Sequence, residues 1–187
     1  MHIPLLPITL TLLLPLTTAT PLTPNPTNHS QKTAATATIT NKCPFAIYLT
    51  PVSSTPSPAE ITLPPHQNYT EPYRHDPVTG GISLKLTTVA HGLYTGAAQT
   101  IFAYNYLEDA GQVWFDLSDV FGDPFAGWRV RLGPIFVNGG NNGTGNGNNG
   151  TGNGAAETIV WEDGVPPRGS QVRVVSSEVG LGLGVCV

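Results

Sequence analysis

The chain has 187 residues, 40% of them hydrophobic and only 11% charged, with a formal net charge of −4. That apolar content supports one ordinary core, while charge well below the roughly 25% of typical soluble domains leaves Thr, Ser, Asn and Gly to make the surface. Eight scattered basic residues against twelve acidic ones exclude a nucleic-acid surface, which needs clustered Lys and Arg.

Ile3–Leu16 is an uncharged run of Leu, Ile, Pro and Thr, followed by Thr17, Thr18 and Ala19, small residues suited to a signal peptidase. Residues 1–19 therefore read as a secretory signal. The run is short for a membrane span, Pro4, Pro7 and Pro15 oppose a long helix, and no later segment reads as a span. Residues 20–34, rich in Pro, Thr and Asn, read as an unstructured segment, and residues 35–187 as a single domain.

From Ala35 onward the hydrophobic period is two rather than 3.6. Strands are expected at Ala35–Asn41, Phe45–Thr50, Ile82–Thr88, Thr100–Tyr106, Gln112–Leu117, Trp128–Leu132, Glu157–Trp161, Gln171–Val175 and Gly182–Cys186. Gly/Pro/Asn turns separate them, no window supports a three-turn helix, and the pattern indicates an all-β sandwich. Residues 138–154 contain only Asn, Gly and Thr and read as a flexible surface loop with no side chain to bury. Four sequons, at Asn28, Asn68, Asn142 and Asn149, suit a glycosylated extracellular chain. In an oxidising compartment Cys43 and Cys186 are expected to bridge rather than remain two buried thiols. That bridge would close a loop of about 140 residues and stabilise the fold by about 4–5 kcal/mol.

The stretch Gln112–Gly127 begins as an aromatic alternating strand and is expected to break into a loop holding Asp116, Asp119 and Asp123, shaped by Gly122, Pro124 and Gly127. Trp114, Trp128 and Trp161 are candidates for sugar-stacking platforms, but strand tryptophans in a sandwich more often fill the core, and there they are expected. His66, His75 and His91 are isolated, and neither they nor the two cysteines have the spacing of a metal site. No G-x-S-x-G elbow is present.

Six segments, taken in order, carry a family resemblance: Asn41-Lys42-Cys43, Tyr69-Thr70-Glu71-Pro72-Tyr73-Arg74, Gly80-Gly81-Ile82-Ser83-Leu84-Lys85, Val113–Ser118, Gly164–Gln171 and Cys186. They resemble the fungal thaumatin-like family, in its small secreted Blastomyces yeast-phase-specific, or antigenic, branch. The resemblance implies a thaumatin-like antiparallel β-sandwich in which Cys43 and Cys186 tie the first strand to the last. It further implies a monomeric, non-enzymatic protein of the cell wall or extracellular space. Cell-wall β-glucan or a host surface protein would be its partner, and no cofactor or metal is expected. The family's additional cysteines are absent here, their places taken by the Asn/Gly tract and Val174-Val175.

The ligand-binding residues expected on this reading are Glu71, Arg74, Asp116, Asp119 and Asp123. A first alternative is a weak β-1,3-glucan hydrolase using Asp116 with Asp123 or Glu71, since glycoside hydrolysis needs two facing carboxylates. The glutamate that larger relatives carry on a neighbouring strand falls near Ile101 and has no substitute there. A second alternative is an inert wall or coat protein whose useful parts are its glycans and Asn/Gly spacer.

Overall fold

Alternation of apolar and polar side chains along short segments produces two β-sheets that share one core. The structure, a computed structural model, describes residues 35–56, 59–135 and 158–187, all within the unit Thr33–Val187. The elements are β1 (Thr36–Asn41), β2 (Ile47–Val52), β3 (Ile61–Leu63), β4 (Asn68–Pro72), β5 (Gly81–Thr87), α1 (Gly92–Thr95), β6 (Gln99–Leu107) and β7 (Gln112–Val120). They continue with β8 (Val130–Ile135), β9 (Ile159–Trp161), β10 (Arg173–Ser176) and β11 (Gly180–Val185). The five-stranded sheet runs β4-β1-β11-β8-β9 and the six-stranded sheet β10-β7-β6-β5-β2-β3. The secretory signal, the 20–34 segment and the 138–154 tract lie outside the described residues.

Among the described residues every strand pair is antiparallel except one. β1 and β11 run parallel, with Ala37 opposite Leu181 and Asn41 opposite Val185. Their C-terminal ends therefore emerge side by side, and Cys43 and Cys186, just beyond them, form a disulfide with Cα atoms 5.0 Å apart. The expected tie between first and last strands is thus made by neighbours already in register.

One face of each sheet supplies the core. Ile39, Leu132, Leu181 and Leu183 come from the five-stranded sheet, and Leu49, Leu84, Leu86, Phe102, Phe115 and Leu117 from the other. Removing such side chains from water drives folding at roughly 25 cal/mol per Å² of apolar area. Of the three tryptophans expected inside, only Trp161 is buried; Trp114 is 45% and Trp128 40% exposed. Trp128 packs edge-on against Phe45, with ring centroids 5.8 Å apart.

Two strands go beyond the sequence expectation, β3 and β4. In β4 the inward positions are Tyr69 and Glu71, so a carboxylate interrupts the apolar alternation that marks a strand. β7 runs to Val120, three residues past the expected end at Leu117. The aspartate loop consequently starts at Phe121 and holds only Asp123. Asp116 and Asp119 are strand residues.

Candidate functional site

The extra length of β7 separates the aspartates. Side chains alternate across a strand, so residues three apart point to opposite faces. Val113, Phe115 and Leu117 are buried on the inner face, and Asp119 continues that row. Trp114 and Asp116 stand on the outer face. The two carboxylates therefore stand on opposite faces, although both residues border the hollow beside Pro166 and Pro167.

A row of paired residues crosses the outer face from Val52 to Ser83, Ala103 and Asp116. A second row runs from Gly81 to Asn105, Trp114 and Val174. Small side chains at Gly81, Ser83 and Ala103 leave the middle of the sheet low, while Trp114 and Val172 stand at its side. The result is a groove of about 430 Å³ with Ser83, Asn105 and Asp116 among its polar lining groups. Asn105 Oδ1 is buried and lacks a hydrogen-bond partner. Trp114 Nε1 donates to Gln112 Oε1 at 3.3 Å, which helps to hold the indole. Past Asp116 and Val172 a second hollow of about 380 Å³ continues along Ser118 towards Pro166, Pro167 and Gln171.

Glu71 lies elsewhere and is fully engaged. It is buried on the inner face of β4. Its Oε1 accepts from Tyr104 Oη at 2.6 Å and its Oε2 from Tyr69 Oη at 2.8 Å. Arg74 Nε stands 3.5 Å from the same Oε2. Tyr104 belongs to the six-stranded sheet and Glu71 to the five-stranded one, so this carboxylate is a polar strut between the layers. Burial, and then donation to Glu71, pushes both phenols well above their usual pKa. Tyr73 extends the cluster, donating to Val179 O at 2.9 Å and packing against Tyr104 and Tyr106.

Arg74 pairs with Glu71. Neighbouring Asp76 is buried and organises its own turn. It accepts from the backbone N–H of Ser54, from Val78 at 2.8 Å and from Thr79 at 2.9 Å. These donors, led by Ser54 and Thr79, hold its carboxyl well below the usual carboxylate range.

The third carboxylate environment is at the open end of β7. Both carboxylate oxygens of Asp119 are buried without a hydrogen-bond partner. Burial raises its pKa to about 7, opposed by the Thr100 hydroxyl and reinforced by the Asp123 carboxylate. Phe121, at φ 61°, and Gly122, at φ 114°, turn the chain beyond β7. The turn then docks on the segment after β9, where Gly127 N donates to Asp163 O at 2.6 Å. A Cβ at Gly164 would sit 1.9 Å from Phe125 O, so only glycine permits that approach.

The five residues expected to bind ligand thus divide among three places: Glu71 and Arg74 in the inter-sheet strut, Asp116 in the outer groove, and Asp119 with Asp123 at the strand end. The hydrolase pairing of Asp116 with Glu71 is not formed, because Glu71 is enclosed between the sheets. Asp123 sits beside Asp119 rather than across the groove from Asp116. For Trp114 the sugar-stacking alternative, rather than the favoured core placement, agrees with its exposure. The signal was present, because Trp114 and Asp116 share parity, opposite to the apolar row Val113, Phe115 and Leu117 that fills the core.

Asn68 is exposed at the start of β4; Asn28, Asn142 and Asn149 lie outside the described residues. His91 Nδ1 is 3.5 Å from Glu60 Oε1, and His75 Nδ1 is 3.3 Å from Tyr106 O. Among the described residues no group of three His, Cys, Asp or Glu side chains gathers as a metal site, and no helix is long and apolar enough to cross a membrane.

Fold and site together define a two-sheet β-sandwich protein with an open, tryptophan-sided groove on one outer face. The chain belongs to the Bys1 family, whose model, described as Blastomyces yeast-phase-specific protein, matches residues 26–187. It is also 31% identical, over 99 residues, to an antigenic thaumatin-like protein of Arthroderma benhamiae, an alignment covering 53% of this chain and 48% of the relative. The match thus spans about half the length of that curated relative. The crystal structure of the protein elicitor MoHrip2 from Magnaporthe oryzae has a similar fold, with a TM-score of 0.59 at 18% identity, covering 82% of this chain and 100% of that one. The chain is thus a Bys1-family protein with a fungal relative of the thaumatin-like type.

Proposed function

We propose that this chain is a secreted, non-enzymatic binding protein that holds a neutral glycan of the cell-wall β-glucan class in the groove on its six-stranded sheet. The observation that carries the reading is the placement of Trp114, half exposed, beside Asp116 on an outer sheet face. An exposed indole stacks against the apolar face of a sugar ring, while Ser83, Asn105 and Asp116 offer hydrogen-bond partners to its hydroxyls. The binding is non-hydrolytic on this reading, because the groove presents one carboxylate and glycoside cleavage requires two on opposite sides of the bond.

Family membership supports an extracellular fungal setting, and residues 1–19 supply the signal for it. A glycan at Asn68 would project from the edge of the opposite sheet, leaving the groove free.

The test is isothermal titration of the purified chain with a β-1,3-glucan oligosaccharide, alongside an assay for released reducing ends. Saturable binding without release is expected, with at least a tenfold loss of affinity in Trp114→Ala and in Asp116→Asn. Binding that survives both substitutions would remove the groove from the account. Release that disappears in Asp116→Asn would make the protein a hydrolase.

A further inference from the structure

Asp119 is the last inward residue of β7, and both of its carboxylate oxygens are buried without a partner. Thr100 lies directly across from it on β6. That threonine is fully buried, and its Oγ1 faces the Asp119 carboxyl without a hydrogen bond of normal geometry. From the turn beyond β7, exposed Asp123 brings a second carboxylate against the first. Among the described residues no Lys, Arg or His forms an ion pair with Asp119.

Two carboxylates and a hydroxyl therefore converge with no positive side chain between them. Burying a carboxylate uncompensated is costly, and a second negative group beside it adds to that cost. Bringing Asp123 back to Asp119 also requires the left-handed conformation of Phe121, which a non-glycine residue adopts reluctantly. A bound cation would answer both: it neutralises the pair and holds the turn in place.

We propose that Asp119, Asp123 and Thr100 form the protein side of a hard-cation site, of the calcium class, at the end of the six-stranded sheet. The donor set is entirely oxygen, which selects calcium or magnesium over the softer metals that favour nitrogen and sulfur. Calcium fits better than magnesium, because it accepts irregular and partly bidentate carboxylate coordination. Asp119 and Thr100 form the buried half. Asp123 forms the solvent side, which admits the ion and leaves room for water to complete its shell. With only two carboxylates the affinity belongs to the weak extracellular class, with Kd about 10⁻⁴–10⁻³ M. The ion would fix the turn at 121–127 against the segment after β9, through the Gly127–Asp163 contact. Asp119 borders the adjoining hollow rather than the tryptophan-sided groove itself, and the calcium and glycan tests use different ligands and variants, so either reading can fail without the other.

The test uses the full chain, stripped with a chelator, titrated calorimetrically with calcium chloride at neutral pH and then melted in about 10 mM calcium chloride. The expected result is saturable binding and a rise in melting temperature of about 3–10 °C. Sodium chloride at matched ionic strength should give no shift, and magnesium a smaller one. Asp119→Asn and Asp123→Asn should each abolish the calcium shift. Asp123 is exposed, so that variant folds even if substitution at Asp119 perturbs the core. Equal melting temperatures in calcium and matched sodium would overturn the site, leaving a carboxyl pair that shares a proton. A calcium shift retained in Asp123→Asn would overturn it as well.

Discussion

Glu71 and Asp119 are both acids on inner sheet faces, and their surroundings differ in one respect. Glu71 receives two phenolic O–H groups and faces a guanidinium, whereas both oxygens of Asp119 are unpartnered. Burial alone therefore does not identify a functional acid. A satisfied buried carboxylate joins elements, and the penalty for breaking it is structural. An unsatisfied one is a place where a proton or ligand changes the energy of the fold.

The largest expected effect comes from emptying the strut. Glu71→Ala leaves the Tyr69 and Tyr104 hydroxyls without their acceptor and should destabilise the domain by about 3–5 kcal/mol, measured by urea unfolding. A loss below about 1 kcal/mol would mean the inter-sheet network adds little. Tyr104→Phe removes one hydrogen bond to a charged group while keeping the ring, so the same titration should show a loss of about 1.5–3 kcal/mol.

At the other acid the expected effect is on pH dependence. With a chelator present, native Asp119 titrates near 7 because burial favours its neutral form, whereas in the unfolded chain it titrates near 4. The native state thus binds the extra proton between these values. Its contribution to stability is complete below about pH 4 and is lost as pH rises through about 7. Melting temperatures of wild type should fall across that window relative to those of Asp119→Asn. Parallel curves would show that this carboxyl is not the buried acid described here. The smallest effect is reserved for the groove: Trp114→Ala on the outer face should alter stability by no more than about 0.5 kcal/mol while weakening glycan binding. A larger destabilisation would place the indole in the packing of the fold.

Much of the architecture was legible in the chain. Period-two alternation marked nine strand segments that coincide with observed strands, with boundaries off by one to three residues. β4 escaped notice because its inward residue Glu71 is charged, and only the facing phenols of Tyr69 and Tyr104 make that position tenable. β7 was read as ending at Leu117 because Ser118 and Asp119 are polar and a Gly/Pro turn follows. Pairing with β6 continues to Val120 opposite Gln99, and that backbone ladder outweighs the unfavourable side chains. The three aspartates were consequently read as one acidic surface. Once the strand is continued by three residues, the same alternation rule puts Asp116 and Asp119 on opposite faces.

By itself the sequence determined the all-β class, the turn glycines and the availability of two cysteines for a bridge. These follow from local composition and side-chain periodicity, which need no knowledge of distant partners. Tertiary structure decided which strands became neighbours, including the parallel β1–β11 pair that brings Cys43 to Cys186. It also decided the role of each acid. Whether a carboxylate becomes a strut, a groove group or a buried unsatisfied pair depends on donors up to 33 residues away in sequence, as Tyr104 is from Glu71. Long-range register brings those donors within reach, and no local pattern encodes that.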